Sequence, residues 1–259
     1  MTNQDILKIA MAQSAVDLCA KPLDFERSEN VIVTSRENDG ARRYLRLPFS
    51  CQLVSYVNNV VSSVSPEFRE ITENYINKYP VEHLFETPNL HVLNDALTEK
   101  GQRICFMAEY FLPDVDFLRE RTVEDAGPYK MRLLAPHDFA ELYLPEWSNA
   151  LCKDRKHLDV IGVGAYDGEK LVGLAGASAD CDTMWQIGID VLPEYRRQGI
   201  ASTLTSRLAI EIMKRGKVPF YCAAWCNVKS VRNAIKSGFR PAWVEMTARP
   251  SETVDGMNQ

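Results

Sequence analysis

Asp190-Val191-Leu192-Pro193-Glu194-Tyr195-Arg196-Arg197-Gln198-Gly199-Ile200-Ala201 is the stretch that decides the fold. The apolar run from Trp185 to Val191 reads as a strand, and a basic turn with one glycine follows it. Beyond Gly199 an amphipathic helix is expected, with Leu204, Leu208 and Ile212 spaced four apart and a break at Gly216. In a strand-turn-helix of this kind, the unpaired N–H groups of the first helical turn and the positive end of the helix dipole face one point. Anions bind at such a point. Gly199 lets the backbone approach a phosphate closely, Ala201 keeps the next position small, and Arg196 and Arg197 supply charge for oxygen anions. The cradle comprises Arg196, Arg197, Gln198, Gly199, Ile200, Ala201 and Ser202, and it suits a pyrophosphate.

Charge around the cradle points the same way. Residues 196–240 hold ten basic residues and one acidic residue, Glu211, so this segment carries +9 in a chain whose sum is −5 and leaves −14 for the remainder. Lys214, Arg215 and Lys217 read as decoration of a solvated helix, whereas Arg196 and Arg197 read as functional. The mildly acidic whole has no general attraction for nucleic acid or anionic lipid. No apolar run approaches the length of a membrane span, and the opening Met-Thr-Asn-Gln-Asp has no basic export region, so a cytoplasmic protein is expected. Seven dispersed cysteines read as reduced thiols. Cys222 and Cys226 have no histidine near them in sequence, and no metal is expected.

Working outward, Met131 to Leu134 reads as a strand, and Pro136-His137-Asp138 leads into a helix expected to end before Asp159. Two strands, about 160–166 and 170–179, flank Asp167-Gly168, which is read as a type I′ turn. With the Trp185–Val191 run they make a three-strand meander. A short strand from Phe220 to Ala224, a helix from Val228 to Lys236 ending at Gly238, and closing strands from Phe239 to Thr247 complete the second half. The first half mixes helix and strand: a helix from Gln4 to Ala20, one starting at Ser65-Pro66-Glu67, one after Thr87-Pro88 that closes at Gly101, and a strand from Ile104 to Phe111. Glu124-Asp125-Ala126-Gly127-Pro128 is the best linker, and it divides the chain into 1–127 and 128–259.

The Arg196, Gly199, Ala201 pattern R-x-x-G-x-A, followed by Asn227-Val228-Lys229-Ser230 and by Lys236-Ser237-Gly238-Phe239, resembles the GNAT superfamily of N-acetyltransferases. The likeness covers about 130–248, and the whole chain resembles a bacterial branch with an extra N-terminal domain. It implies an α+β fold: a central mixed, splayed sheet flanked by helices, plus an N-terminal α+β domain. The implied donor is acetyl-CoA, with its pyrophosphate on the cradle and its pantetheine arm along the backbone of Ile189, Asp190 and Val191. The Val191 N–H would polarise the thioester carbonyl, and Asn227 and Ser230 would touch the pantetheine or the ADP part.

The same resemblance implies an amine acceptor that must lose a proton, and Asp182, Asp190, Glu194 and Glu245 are the carboxylates on offer as base. Glu194 joins Val191 and Tyr221 as the catalytic set. Many GNAT enzymes place a Tyr four residues before the Gly of the terminal G-F, and this chain has Ala234 there. Water, Tyr221, Ser230 or Cys226 could protonate the departing thiolate instead, with Tyr221 first. The acidic remainder suits a cationic acceptor such as a polyamine or an aminoglycoside, and peptide N-termini and lysines stay open as acceptors. The first domain caps the acceptor side, extends the sheet or forms a homodimer interface, and the sequence does not choose. Two rivals compete with this reading. Gly162-Val163-Gly164-Ala165-Tyr166-Asp167-Gly168 fails as a dinucleotide fingerprint, because its glycine spacing is wrong and it runs into a hairpin rather than a helix. A GNAT-like module that binds acyl-CoA without efficient turnover is kept alive by Ala234.

Overall fold

The computed structural model describes residues 1–120 and 127–259. In chain order the elements are α1 (Asn3–Leu18), β1 (Val31–Thr34), β2 (Cys51–Ser55), β3 (Val61–Val64), α2 (Arg69–Ile76), α3 (Thr87–Thr98), β4 (Gln102–Pro113) and α4 (Val115–Arg119). They continue as β5 (Lys130–Leu134), β6 (Asp159–Asp167), β7 (Lys170–Ser178), β8 (Met184–Val191), α5 (Ile200–Lys214), β9 (Val218–Ala223), α6 (Val228–Lys236), β10 (Phe239–Pro250) and α7 (Ser251–Met257). The chain forms two compact units, Met1–Leu7 with Phe111–Pro241, and Lys8–Tyr110 with Ala242–Gln259. The division falls inside α1, inside β4 and inside β10. The sequence-based boundary follows a polar, breaker-rich stretch instead, and its residues 124–126 lie outside the described residues.

In the first unit β5, β6, β7 and β8 form an antiparallel ladder, and β9 joins β8 in parallel, which makes the sheet mixed. The β6–β7 turn differs from the type I′ expectation. Asp167 pairs with Lys170, so the loop is Gly168-Glu169, and Gly168 takes φ 60° at the first central position, the place where a type II′ turn puts its glycine. Register shifts beside Tyr166 and Asp159 bend the hairpin. A Cβ on Gly162 would meet the Phe139 ring at 3.1 Å and one on Gly164 would meet Leu171 at 2.8 Å, so these glycines serve close packing.

α5 lies on one face of this sheet. Ile200, Leu204, Leu208, Ala209 and Ile212 bury the stripe foreseen from their spacing, against Ala175, Ala177 and Ile187. Gly173 brings the start of α5 down onto β7, since a Cβ there would lie 2.8 Å from Ile200 Cγ2. On the opposite face the segment expected to be a helix from Pro136 lies over β6, β7 and β8. It breaks into three 3-10 pieces, Pro136–Phe139, Pro145–Trp147 and Lys153–Leu158. Two causes are visible. Pro145 holds Leu144 extended (φ −109°, ψ 158°), and the backbone at 149–150 lies directly on the sheet, where no helix with its side chains could fit. Gly176 and Gly188, cross-strand partners, make that room: a Cβ on either would stand 2.0 Å from the Ala150 carbonyl oxygen or 1.8 Å from that of Asn149.

In the second unit β1 pairs in parallel with β3, β3 antiparallel with β2, and β2 antiparallel with β10 through Val244–Thr247. One face packs Leu53, Val64, Phe68, Tyr75, Leu93 and Met246 in an apolar core. A buried ion cluster lies elsewhere in this unit: Arg42 donates from Nε to Asp17 at 2.5 Å and from a terminal nitrogen to Glu245 at 2.5 Å, and Trp243 Nε1 donates to Glu245 at 2.9 Å. Tyr56, Trp243 and Tyr110 stack at 5.3 and 4.7 Å beside it.

Gly176→Ala should lose more than about 2 kcal/mol in urea unfolding, through the clash with Ala150, whereas Gly256→Ala in α7, where a Cβ meets nothing within 4 Å, should be neutral or gain about 0.5–1 kcal/mol. Equal effects would contradict the packing. Glu245→Ala, which leaves the Arg42 cation short of a partner, should cost about 3–5 kcal/mol, and a change near zero would contradict the buried pairing.

Candidate functional site

β8 and β9 are paired only at Met184 with Val218, Trp185 with Pro219 and Gln186 with Phe220. β8 then continues to Val191 and β9 to Ala223 with no pairing between them, so the two strands open into a cleft. Gln186 Nε2 donates to Cys222 Sγ at 2.9 Å where the opening begins. The direction of the free backbone groups follows from the other edge. Leu192 N–H donates to the Val172 carbonyl of β7 at 3.0 Å, and antiparallel pairs alternate, so the N–H and C=O of Val191 and Ile189 point towards the opening. The Val191 carbonyl accepts Arg196 Nε at 2.9 Å, which leaves its N–H directed into the cleft.

The turn between β8 and α5 is the predicted cradle. Arg197 takes φ 65° and Gly199 φ 85°, left-handed conformations on either side of Gln198 that gather backbone N–H groups into a concave nest. Gly199 is the N-cap of α5 and no side chain caps that helix, so the N–H groups of its first turn are left for a ligand. Nothing lies within 4 Å of a Cβ placed on Gly199, so the nest is open. Ser202 and Thr203 hydroxyls turn back to the Gly199 carbonyl at 3.0 Å each, and Gln198 Oε1 accepts the Tyr129 hydroxyl at 2.6 Å. Arg196 ties the nest to the end of β8, and Arg197 stands exposed with no ion-pair partner among the described residues. An uncapped helix start, an open nest and a cation together fit a diphosphate.

Five other cations of the basic segment are taken up structurally. Arg207, Lys214 and Arg215 all pair with Glu211, Lys217 donates to the Asp182 carbonyl, and Arg240 pairs with Asp114. The cations left around the opening are therefore fewer than the raw charge count implies.

Hydroxyl groups meet at the start of α6. Asn227 caps that helix by accepting Ser230 N–H at 3.2 Å, and the Ser230 hydroxyl meets Tyr221 OH at 2.7 Å. Tyr221 is the first β9 residue past the last pair with β8, it is buried, and burial holds its phenol above the ordinary tyrosine range. Ala234 is wholly buried in the same apolar cluster as Tyr221, and Cys226 is exposed one residue before the cap.

The carboxylates are dispersed. Asp190 accepts three hydrogen bonds from residues 149 and 150. Glu194 is exposed and paired with Lys170 at 3.2 Å, and its own backbone N–H and that lysine hold its carboxyl below the usual range. Asp182 precedes β8, at the opposite end of that strand from Val191, and Glu245 is the partner of Arg42 in the second unit. The 149–150 backbone seated on Gly176 and Gly188 was missed from sequence; the spacing of those two glycines on adjacent strands was its only signal.

Among known proteins, a family model for the GNAT acetyltransferase matches residues 92–242. No curated protein matches the chain. Solved structures with a similar fold include a putative acetyltransferase of the GNAT family from Novosphingobium aromaticivorans, with 20% identity, TM-score 0.44, 57% of this chain and 66% of that one covered. A GCN5-related N-acetyltransferase-like protein from Streptococcus suis has 20% identity and TM-score 0.44 over 62% of this chain and 69% of its own. An aminoglycoside N-acetyltransferase in complex with CoA has 18% identity and TM-score 0.35 over 44% of this chain and 89% of its own. The match between the family model and more than half of these 259 residues, across the splayed strands and the nest, shows that the chain belongs to the GNAT acetyltransferase family.

Proposed function

We propose that the protein transfers an acetyl group from acetyl-CoA to a primary amine, by direct attack of the amine on the thioester, in the cytoplasm. The observation that carries this reading is the opening of β8 from β9 beside the uncapped start of α5. Acetyl-CoA supplies the activated acetyl group when bound. Arg197, Gly199 and the first-turn N–H groups of α5 would hold its diphosphate, and Ile189 and Val191 would offer their edge to the pantetheine amides as a strand offers its edge to another.

Val191 N–H, aimed into the opening, donates to the carbonyl oxygen as negative charge grows on it. Tyr221, kept protonated by burial and joined to Ser230, donates a hydrogen bond to the departing sulfur. Glu194 is a poor base here, because Lys170 and a lowered pKa keep its carboxylate occupied and weakly basic. The −14 carried outside the basic segment favours a cationic acceptor, such as a polyamine or an aminoglycoside. A second reading, an acyl-CoA-binding module with little turnover, is favoured by Ala234 alone, since no hydroxyl stands at that buried position.

CoA should raise the melting temperature, and acetyl-CoA with an amine panel should release free thiol. A shift without thiol release on any amine selects the second reading, and no shift at saturating CoA contradicts both. Arg196→Ala with Arg197→Ala should weaken CoA binding about tenfold or more and flatten its salt dependence, and unchanged affinity would remove the diphosphate assignment. Tyr221→Phe should lower kcat about a hundredfold with CoA affinity retained. Because its pKa lies above the ordinary phenol value, Tyr221 should cause no fall in rate below roughly pH 10. Wild-type kcat in Tyr221→Phe would overturn its role.

A further inference from the structure

We propose that Asp190 is a positioning residue for this reaction. Through the turn at 148–150 it fixes the wall of the cleft on the face away from α5, the face from which the acceptor amine reaches the thioester. The inference rests on the proposed acetyl transfer and adds to it the side of approach and the group that shapes that side.

The argument starts from the alternation of β8. Ile187, Ile189 and Val191 turn their side chains to the α5 face, where they pack with the buried Ile200, Leu204 and Tyr221. That face is closed. A nucleophile approaching a group held between β8 and β9 therefore comes over the other face, towards which Gln186, Gly188 and Asp190 point. Gln186 and Cys222 join where the cleft begins, and the 148–150 turn stands beside its far part.

Asp190 holds that turn with its whole carboxylate. Oδ2 accepts the backbone N–H of Asn149 at 2.8 Å and that of Ala150 at 2.9 Å, and Oδ1 accepts Asn149 Nδ2 at 2.7 Å. Gly188 and Gly176 let the two carbonyls of the same residues pack directly on the strands, so the turn is seated by close contact as well as by its N–H groups. Trp147, Ala150 and Leu151 anchor it in an apolar cluster with Leu174. A carboxylate that takes three donors from one turn holds that turn as a clamp. It is also the residue next to Val191, so the same strand segment sets the cleft wall and the N–H that faces the carbonyl.

The test separates a clamp from a base. Asp190→Asn can keep all three bonds: its carbonyl oxygen takes the two backbone N–H groups, and the Asn149 amide rotates to accept from its NH2. Asp190→Ala keeps none, and Asn149→Ala removes one bond at an exposed side chain. Each variant is assayed with the amine that the wild type acetylates fastest among spermidine, lysine ethyl ester and kanamycin, for KM and kcat on amine and on acetyl-CoA, and for the pH profile. CoA affinity and amide hydrogen exchange at Asn149 and Ala150 are measured without turnover.

Asp190→Ala should lower kcat/KM for the amine about thirtyfold, with CoA affinity within about twofold of wild type and fast exchange at both amides. Asn149→Ala should lower it about threefold, which keeps the claim testable where Asp190→Ala folds poorly. Asp190→Asn should restore amine kcat/KM to within about threefold of wild type, with slow exchange and an unchanged pH profile. The proposal is overturned if Asp190→Asn is as inactive as Asp190→Ala and loses the acidic limb of the profile, which would make Asp190 the base. An equal loss of CoA affinity in both variants, or fast exchange at Asn149 and Ala150 in the wild type, overturns it as well. Failure of the acetyl-transfer reading shows separately, as a wild type that neither binds CoA nor releases thiol.

Discussion

β8 and β9 hold each other through three residue pairs and then part, and the proposed chemistry depends on that parting. A fully zipped pair would consume the N–H and C=O groups of Ile189 and Val191 in the sheet. Left unpaired on one edge, they are polar groups that require partners, and an extended ligand with amides of its own can supply them. The β7 ladder, continuous from Gly173 with Val191 to Ser178 with Gln186, keeps β8 straight while its other edge is free.

Glycines then bring the neighbouring elements close enough to serve that edge. Gly173 seats the start of α5 on β7 opposite Val191, so the uncapped helix end and its nest stand where β8 stops. Gly176 and Gly188 do the same on the opposite face for the backbone at 149–150. The two faces of one strand pair thus receive a helix start on one side and a clamped turn on the other. Charge is distributed to match. Glu211 absorbs Arg207, Lys214 and Arg215 along α5, and the carboxylates of Asp190 and Glu194 are engaged in local contacts.

What could be read from sequence was what repeats with a period or depends on a single backbone conformation. The stripe of Leu204, Leu208 and Ile212, the glycine that opens α5 and the strands of the meander from β6 to β8 were all legible, because each of these pieces is encoded within about ten residues. The short strands β1, β2 and β3 were not, since four or five residues carry too little alternation to stand out. The stretch after Pro136 has a helix-like start, but its conformation is set by Pro145 and by two glycines some thirty residues downstream, so local propensity lost to packing. The role of Asp190 was hidden for the same reason: its partners are forty residues away. Glu245 looked available on a closing strand, and Arg42, two hundred residues earlier, is what occupies it.

Amide hydrogen exchange with and without CoA tests the central claim, that the edge of β8 and the start of α5 form one binding site. The account predicts that CoA slows exchange at Ile189 and Val191 and in the first turn of α5, residues 199–203, and leaves the apolar core of the second unit unchanged. Protection confined to other segments, or none at saturating CoA, would contradict it.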